Sequence, residues 1–256
     1  MAQAYKIAVL GGTGFIGKSV CAAAVRAAPA VGSVLSLSLL GCYPYSDNIG
    51  GSSLAQYRDG YWPRRVVWRH CNFVDPTHLP WAERALEGYD AVIHLIGGFY
   101  PAPPSRPHRS LVNVNLQSVL NALQVVRTAK VPRFVLLSAC GVPPGAPPEA
   151  LQLKRAAELA VLKQDWAAAT IVRAPLLFGR ESPRSLVLGT AAAVSQYLGW
   201  TDNPFFNTLH VDRLARCLVA CALSMPRVAG RVSILEEHDV RRLTQPSHGA
   251  QPVDDL

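Results

Sequence analysis

The sequence predicts a doubly wound α/β fold, a parallel sheet covered by helices on both faces, with a small carboxy-terminal lobe. Three observations predict it. Short apolar runs alternate with amphipathic helical stretches along most of the chain, the pattern of βαβ units joined by right-handed crossovers. The first run, YKIAVL, passes directly into a glycine-rich turn and an alanine-rich helix. The later runs are almost wholly apolar, as expected of strands covered on both faces.

Taken in order, YKIAVL is a buried strand, and residues 15–28 form a helix whose apolar face includes Ile16, Val20 and Ala24. Residues 33–40 read as the second strand. Residues 42–65, rich in Gly, Ser, Pro and Tyr, have neither helical nor strand period and read as an excursion at the carboxyl edge of the sheet. A strand at 66–73, a helix in HLPWAERALEG and a strand at 90–97 follow. A long helix is expected over 109–129, then a strand at 133–139, a helix at 149–164 and a strand at 169–174. Two further helices (184–198 and 211–224), the strand GRVSIL and a small helix near EHDVRRL complete the chain. Residues 1–243 read as one domain, its lobe spanning 176–243, with 244–256 as an unpacked tail.

Composition narrows the function classes. The 256 residues are 50% hydrophobic and 16% charged, with a formal net charge of +8, so a compact core and an anionic partner are both in keeping. Nucleic acid is not expected, because no dense basic run with interleaved aromatics occurs. The six cysteines are scattered without CxxC pairs and read as small apolar core residues in a reducing compartment or the mitochondrial matrix. A first strand starting by about Tyr5 leaves no room for a leading targeting segment.

The turn after the first strand, GGTGFIGKS, fits two phosphate-binding patterns at once. A GxxxxGK[ST] loop needs an acidic strand end to hold magnesium, and the buried strands end HLIGG, LLSAC and VRAPL, without a carboxylate. The dinucleotide pattern keeps all its parts: Gly11 for the tight turn, Gly14 for backbone approach to a pyrophosphate, Gly17 for close packing of helix on strand. Thr13, Phe15 and Ile16 complete that turn.

These residues, with motifs that follow in order, resemble the short-chain dehydrogenase/reductase superfamily in its extended or atypical branch. CNFVD resembles the adenine-side motif, placing Asn72 and Phe73; DAVIHLIGG is similar to the fourth-strand motif, placing Leu95, Ile96 and Gly97; VNVNLQSVLNAL carries a structural Asn at Asn115; IVRAPLLFGRE resembles the segment over the nicotinamide and places Pro175. The resemblance implies a bound NAD(P)(H), with NADP(H) ahead of NAD(H). At the end of the second strand, Ser38 stands where an acid or an Arg would discriminate the two. Arg64 or Arg65 could reach back from the excursion.

Hydride-transferring members place a Tyr four residues before a Lys, and a Ser on the preceding strand end. Here Ser138 and Lys154 are present, but Ala150 occupies the tyrosine position, and the chain has no Tyr between Tyr100 and Tyr197. Ser138 and Lys154 then read as ribose- and nicotinamide-side contacts or as relics, with no catalytic residue and no metal ligand assigned. His94, His108 and His210 are alternative acids.

Within the superfamily the chain resembles two groups: the nucleotide-binding accessory subunit of mitochondrial respiratory complex I, and an atypical member associated with coenzyme Q biosynthesis. The first likeness implies a non-catalytic structural subunit on the matrix side of the mitochondrial inner membrane. Its partners would be other subunits of a large membrane complex, with a peripheral membrane contact. The alternative is an atypical NAD(P)-dependent reductase or epimerase, or the coenzyme Q-associated role.

Overall fold

The computed structural model describes residues 4–27, 31–38, 66–103, 105, 109–143, 145–165, 168–179, 208–224 and 231–244. In chain order the strands are β1 (Tyr5–Leu10), β2 (Val31–Ser38), β3 (Val66–His70), β4 (Ala91–His94), β5 (Arg133–Ala139), β6 (Ala168–Ala174), β7 (Leu176–Phe178), β8 (Thr208–His210) and β9 (Arg231–Leu235). The α-helices are α1 (Phe15–Arg26), α2 (Leu79–Ala85), α3 (Ser118–Thr128), α4 (Glu149–Leu162), α5 (Val211–Ser224) and α6 (Glu237–Thr244).

Adjacent residues of β1 explain why the sheet is covered twice. Ala8 and Leu10 enter one core with Val119 of α3 and Ala157 of α4, while Ile7 and Val9 enter the other with Val20 of α1 and Leu218 of α5. All four strand residues have no exposed surface. A strand with two apolar faces cannot alternate polar and apolar residues, which is why its run is continuous.

Among the described residues the main sheet has the order β3-β2-β1-β4-β5-β6-β9, parallel at every pairing. The chain winds outwards from β1 to β3, returns, and starts again at β4. Two loops therefore leave the sheet in opposite directions between β1 and β4, and their divergence opens a crevice at the carboxyl ends. A separate small sheet pairs β7 with β8, Leu176 beside Thr208 and Phe178 beside His210. Two three-residue strands far apart in sequence carry no local signal, and sequence periodicity did not reveal them.

Three sequence expectations are corrected. The fourth strand is Ala91–His94, shorter than 90–97, because Leu95 makes a last bond to Leu10 O at 2.9 Å and the chain then leaves the ladder. Likewise β3 ends at His70 and not at residue 73. The long helix is not uniformly α-helical: Asn113–Gln117 form a π-helical turn before α3 begins. The expected helix at 184–198, the excursion at 42–65 and the tail from residue 245 lie outside the described residues.

Arg133 ties the sheet to the outer helices. Its buried guanidinium donates to Ala222 O at 3.3 Å, in the last turn of α5, and lies 4.7 Å from the centre of the Tyr5 ring. A cation there satisfies one of the carbonyls a helix end leaves without an internal partner.

Leu218 is fully buried between α5 and the sheet, whereas Leu243 on α6 is 58% exposed. Leu218→Ala is expected to lower the unfolding free energy by about 3 kcal/mol, and Leu243→Ala by less than about 0.5 kcal/mol. Urea denaturation at fixed pH measures both.

Candidate functional site

The turn after β1 packs backbone against backbone. Gly11 has φ +92°, and Gly11 N donates to Leu37 O at 2.7 Å, tying the turn to β2. A Cβ on Gly17 would sit 2.2 Å from Gly11 O and 2.5 Å from Gly12 Cα. A Cβ on Gly12 would sit 2.1 Å from Ser36 Oγ. At Gly14 the nearest atom to such a Cβ is Gly11 O at 3.3 Å.

Two positions are therefore sterically compulsory, Gly17 and Gly12. The fingerprint reading assigned Gly11, Gly14 and Gly17 and passed over Gly12, although the doubled glycine signals it. Gly14 caps α1 by its backbone; it has no side-chain cap bond and no acid follows in the first turn. Thr13 and Gly14 are exposed and Phe15 and Ile16 half-buried, so the positive end of α1 is open to an anion.

The second wall is the chain leaving β4. Asn115 clamps it twice: its Oδ1 accepts from Gly98 N at 3.1 Å and its Nδ2 donates to Gly98 O at 2.8 Å. Asn115 lies on the π-helical turn, an insertion that rotates one side chain relative to a regular helix. Gly97 runs close to two polar side chains, since a Cβ there would stand 2.9 Å from Lys154 Nζ and 3.0 Å from Asn115 Oδ1. Ile96 packs on Gly11, with Cγ1 3.3 Å from where a Cβ would stand. Thus Gly11, Leu95, Ile96, Gly97, Asn115 and Lys154 converge from four elements.

Lys154 lies half-buried, its ammonium 5.3 Å from the centre of the Phe99 ring. Burial lowers its pKa to about 8, the pull of Glu158 opposing and the repulsion of Arg155 adding to the shift. One turn earlier, Ala150 has no exposed surface, and Tyr100 is 56% exposed on the loop. The position one turn before Lys154 on α4 thus carries no phenol.

Ser138 is committed elsewhere. Its hydroxyl donates to Glu158 Oε1 at 2.5 Å, and Glu158 also binds Arg155 and, at 2.6 Å, Arg173. Arg173 reaches on to Glu236 at 2.5 Å. Ser138, which the sequence reading gives as a ribose- and nicotinamide-side contact or a relic, thus donates its one hydroxyl proton to a buried carboxylate. Burial would raise the Glu158 pKa, but the hydrogen bonds from Arg173 and Ser138 and the charges of Arg155 and Arg173 outweigh it and hold it below the usual carboxylate range.

The remaining positions fall at the rim or in the core. Asn72 accepts from Val74 N at 3.0 Å and so shapes the turn after β3. Phe73 is a core residue with no exposed surface, and its carbonyl accepts from Asn121 Nδ2 at 2.5 Å. Asn121 is a supporting group that sequence motifs did not reveal. Ser38 is the last residue of β2, paired with His70. Pro175 is half-buried between β6 and β7. Arg64, Arg65 and His108 lie outside the described residues.

Of the three candidate histidines, His94 and His210 lie among the described residues. His94 is fully buried, and burial, with the nearby Lys154 charge, pushes its pKa down to about 3. Its Nε2 lies 3.4 Å from Ser118 Oγ. His210 Nδ1 is 3.6 Å from Asp212, at the start of α5.

The fit of a dinucleotide can be judged on these residues. Gly11, Gly12 and Gly17 let the turn pack closely on its neighbours, Thr13 and Gly14 leave its outer side exposed, an uncapped helix end opens there, and Lys154 supplies a cation across the crevice. Those features suit a pyrophosphate and a ribose. Among the described residues no group of three or more His, Cys, Asp or Glu could hold a metal ion.

Comparisons with known proteins agree with this geometry. The model of the NAD dependent epimerase/dehydratase family matches residues 7–187. A UDP-glucose 4-epimerase from Bifidobacterium longum, solved with NAD+ and UDP, superposes with a TM-score of 0.62 at 18% identity, over 90% of this chain and 77% of that one. A UDP-N-acetylglucosamine 4-epimerase from Methanobrevibacter ruminantium gives 0.60 at 15% identity, over 95% and 81%. DesIV, a dTDP-glucose 4,6-dehydratase from Streptomyces venezuelae, gives 0.56 at 21% identity, over 93% and 79%. At these identities the likeness is one of fold. No curated protein matches the sequence.

Two outcomes are expected. Gly17→Ala and Gly12→Ala each destabilise the fold by about 3 kcal/mol, while Gly14→Ala, at φ −71° and with its neighbour 3.3 Å away, costs less than about 1 kcal/mol; thermal melts rank the three. The lowered pKa of Glu158 gives a stability contribution that is present above the unfolded-state value of about 4.3 and lost as pH falls through the folded value. Glu158→Gln flattens that acid limb and lowers stability at neutral pH, read from urea midpoints across an acid pH series.

Proposed function

Because this chain belongs to the NAD dependent epimerase/dehydratase family, we propose that it binds a nicotinamide dinucleotide across the β1/β4 crevice and holds it without the tyrosine relay of hydride-transferring relatives. One observation carries the second half of this reading: Ala150, wholly buried, stands one turn before Lys154. The diversion of Ser138 to Glu158 supports it, since neither of the groups that orient and protonate a carbonyl oxygen is available.

In this reading Gly11, Thr13, Gly14 and the amino end of α1 receive the pyrophosphate, and Asn72 borders the adenine, with Phe73 anchoring that turn in the core. Lys154, Gly97 and Pro175 border the ribose and nicotinamide. When bound, the nicotinamide supplies hydride chemistry; this chain's residues bind and orient it, and Asn115 fixes the loop against which it rests. NADP(H) in preference to NAD(H) is part of the proposal from sequence resemblance, and the neighbours solved with NAD+ support only a nicotinamide dinucleotide.

The test is retention. Protein purified without added nucleotide and then denatured is expected to release NAD(H) or NADP(H), and added dinucleotide at one hundred times its Kd raises the unfolding free energy by about 2.7 kcal/mol. An unfolding midpoint that neither dinucleotide shifts overturns the reading.

A second reading, an atypical reductase or epimerase, is favoured by Lys154, whose ammonium has no hydrogen-bond partner among the described residues and a pKa lowered to about 8, close to that of a working acid. The named structural neighbours are epimerases and dehydratases, which supports this alternative ahead of an accessory role in a mitochondrial inner-membrane complex; that role rests on sequence resemblance alone. Under the enzymatic reading Lys154→Met abolishes turnover of a carbonyl substrate with binding largely kept. Under the retention reading the same variant weakens dinucleotide binding about tenfold, a loss of about 1.4 kcal/mol, and there is no turnover to lose.

A further inference from the structure

The outer faces of α1 and α5 frame a second concave region, away from the crevice. The helices start at one end together: a Cβ on Gly179 would lie 2.6 Å from Val211 and 3.2 Å from Phe15, their first residues. A cleft of about 530 Å³ lies between them. Its apolar lining is small, with Ala23 of α1, Ala27 just after that helix, and Val219 and Leu223 of α5. Its rim carries Arg26, in the last turn of α1, and Arg213 and Arg216, one turn apart on α5.

What sets these arginines apart is that three of them without acidic partners line one concave region. Arg155, Arg173 and Arg241 are each paired with a glutamate. Among the described residues none of the three rim guanidinium groups has a carboxylate within ion-pair distance, and the single acid of the lining, Asp212, faces His210. Like charges one turn apart work against a helix, and three cations around a concave, partly apolar wall concentrate a positive potential there.

Length discriminates between occupants. From Arg213 to Leu223 the groove follows α5 for about 15 Å at 1.5 Å per residue, and the parallel start of the helices places Arg26 towards its far end. One phosphate group cannot span that distance, whereas four or five residues of extended peptide at about 3.3 Å each do. An extended chain also sends alternate side chains to opposite sides, apolar ones to the alanine and valine lining and carboxylates to the rim.

We propose that the α1/α5 groove docks an extended acidic peptide segment of a partner protein, with Arg26, Arg213 and Arg216 binding its carboxylates. The proposal is independent of what the crevice holds.

The probe is a fluorescein-labelled hexapeptide of alternating Glu and Leu, added to the full-length protein and followed by anisotropy. Saturable binding is expected, weakening about tenfold in Arg213→Ala/Arg216→Ala and by a smaller factor in Arg26→Ala. Arg213→Lys/Arg216→Lys should keep most of the affinity, and a control at exposed arginines outside the groove, Arg84→Ala/Arg127→Ala, should keep all of it. Circular dichroism melts establish that each variant is folded. The proposal is overturned by absence of saturable binding, by equal loss in the control, or by pyrophosphate or phosphatidylserine vesicles binding the groove while the peptide does not.

Discussion

The rest of the molecule depends on one contact, the seating of the first turn of α1 on the backbone of the turn before it. Gly17 lies so close to Gly11 O and Gly12 Cα that a single methyl group would overlap both. That contact fixes the angle at which α1 leaves β1, and so aims its unbonded amide groups along the crevice. Gly12 sets the same turn against Ser36 of β2. Affinity for an anion follows from a backbone arrangement, and no charged side chain is needed to create it.

Across the crevice, side chains hold the opposing loop. Once Leu95 has made its last bond to Leu10, the backbone at Gly97 and Gly98 has no strand to pair with. Asn115 replaces the missing ladder by offering one donor and one acceptor to the same residue, Gly98. The π-helical turn is the cost of placing that amide, because a side chain in regular α-helix would be rotated away from the loop.

Charge on α4 is divided between two tasks. Lys154 faces the crevice and has given up part of its basicity to burial. Glu158, one turn on, faces inwards and joins β5, β6 and the start of α6 through Ser138, Arg173 and Glu236. Ser138 belongs to this second network. A residue type in the right motif position has been recruited by its neighbours to stability, and the paired acid that recruited it lies four residues beyond the lysine of the motif.

The sequence by itself determined the fold class, the glycine cradle, the position of Asn115 and the loss of the tyrosine. The first two are written in local periodicity and in glycine spacing; the last two are implied by motifs that resemble those of the superfamily. Only the tertiary structure decided that Gly12 is compulsory, that Phe73 is enclosed in the core, that β7 pairs with β8 and that Ser138 serves Glu158. Those facts arise from groups distant in the chain competing for the same space or the same proton, and such competition leaves no mark on either segment read alone. The arginine groove arises in the same way: Arg26 and Arg216 stand on separate helices, and the packing of α1 beside α5 brings them to one cleft.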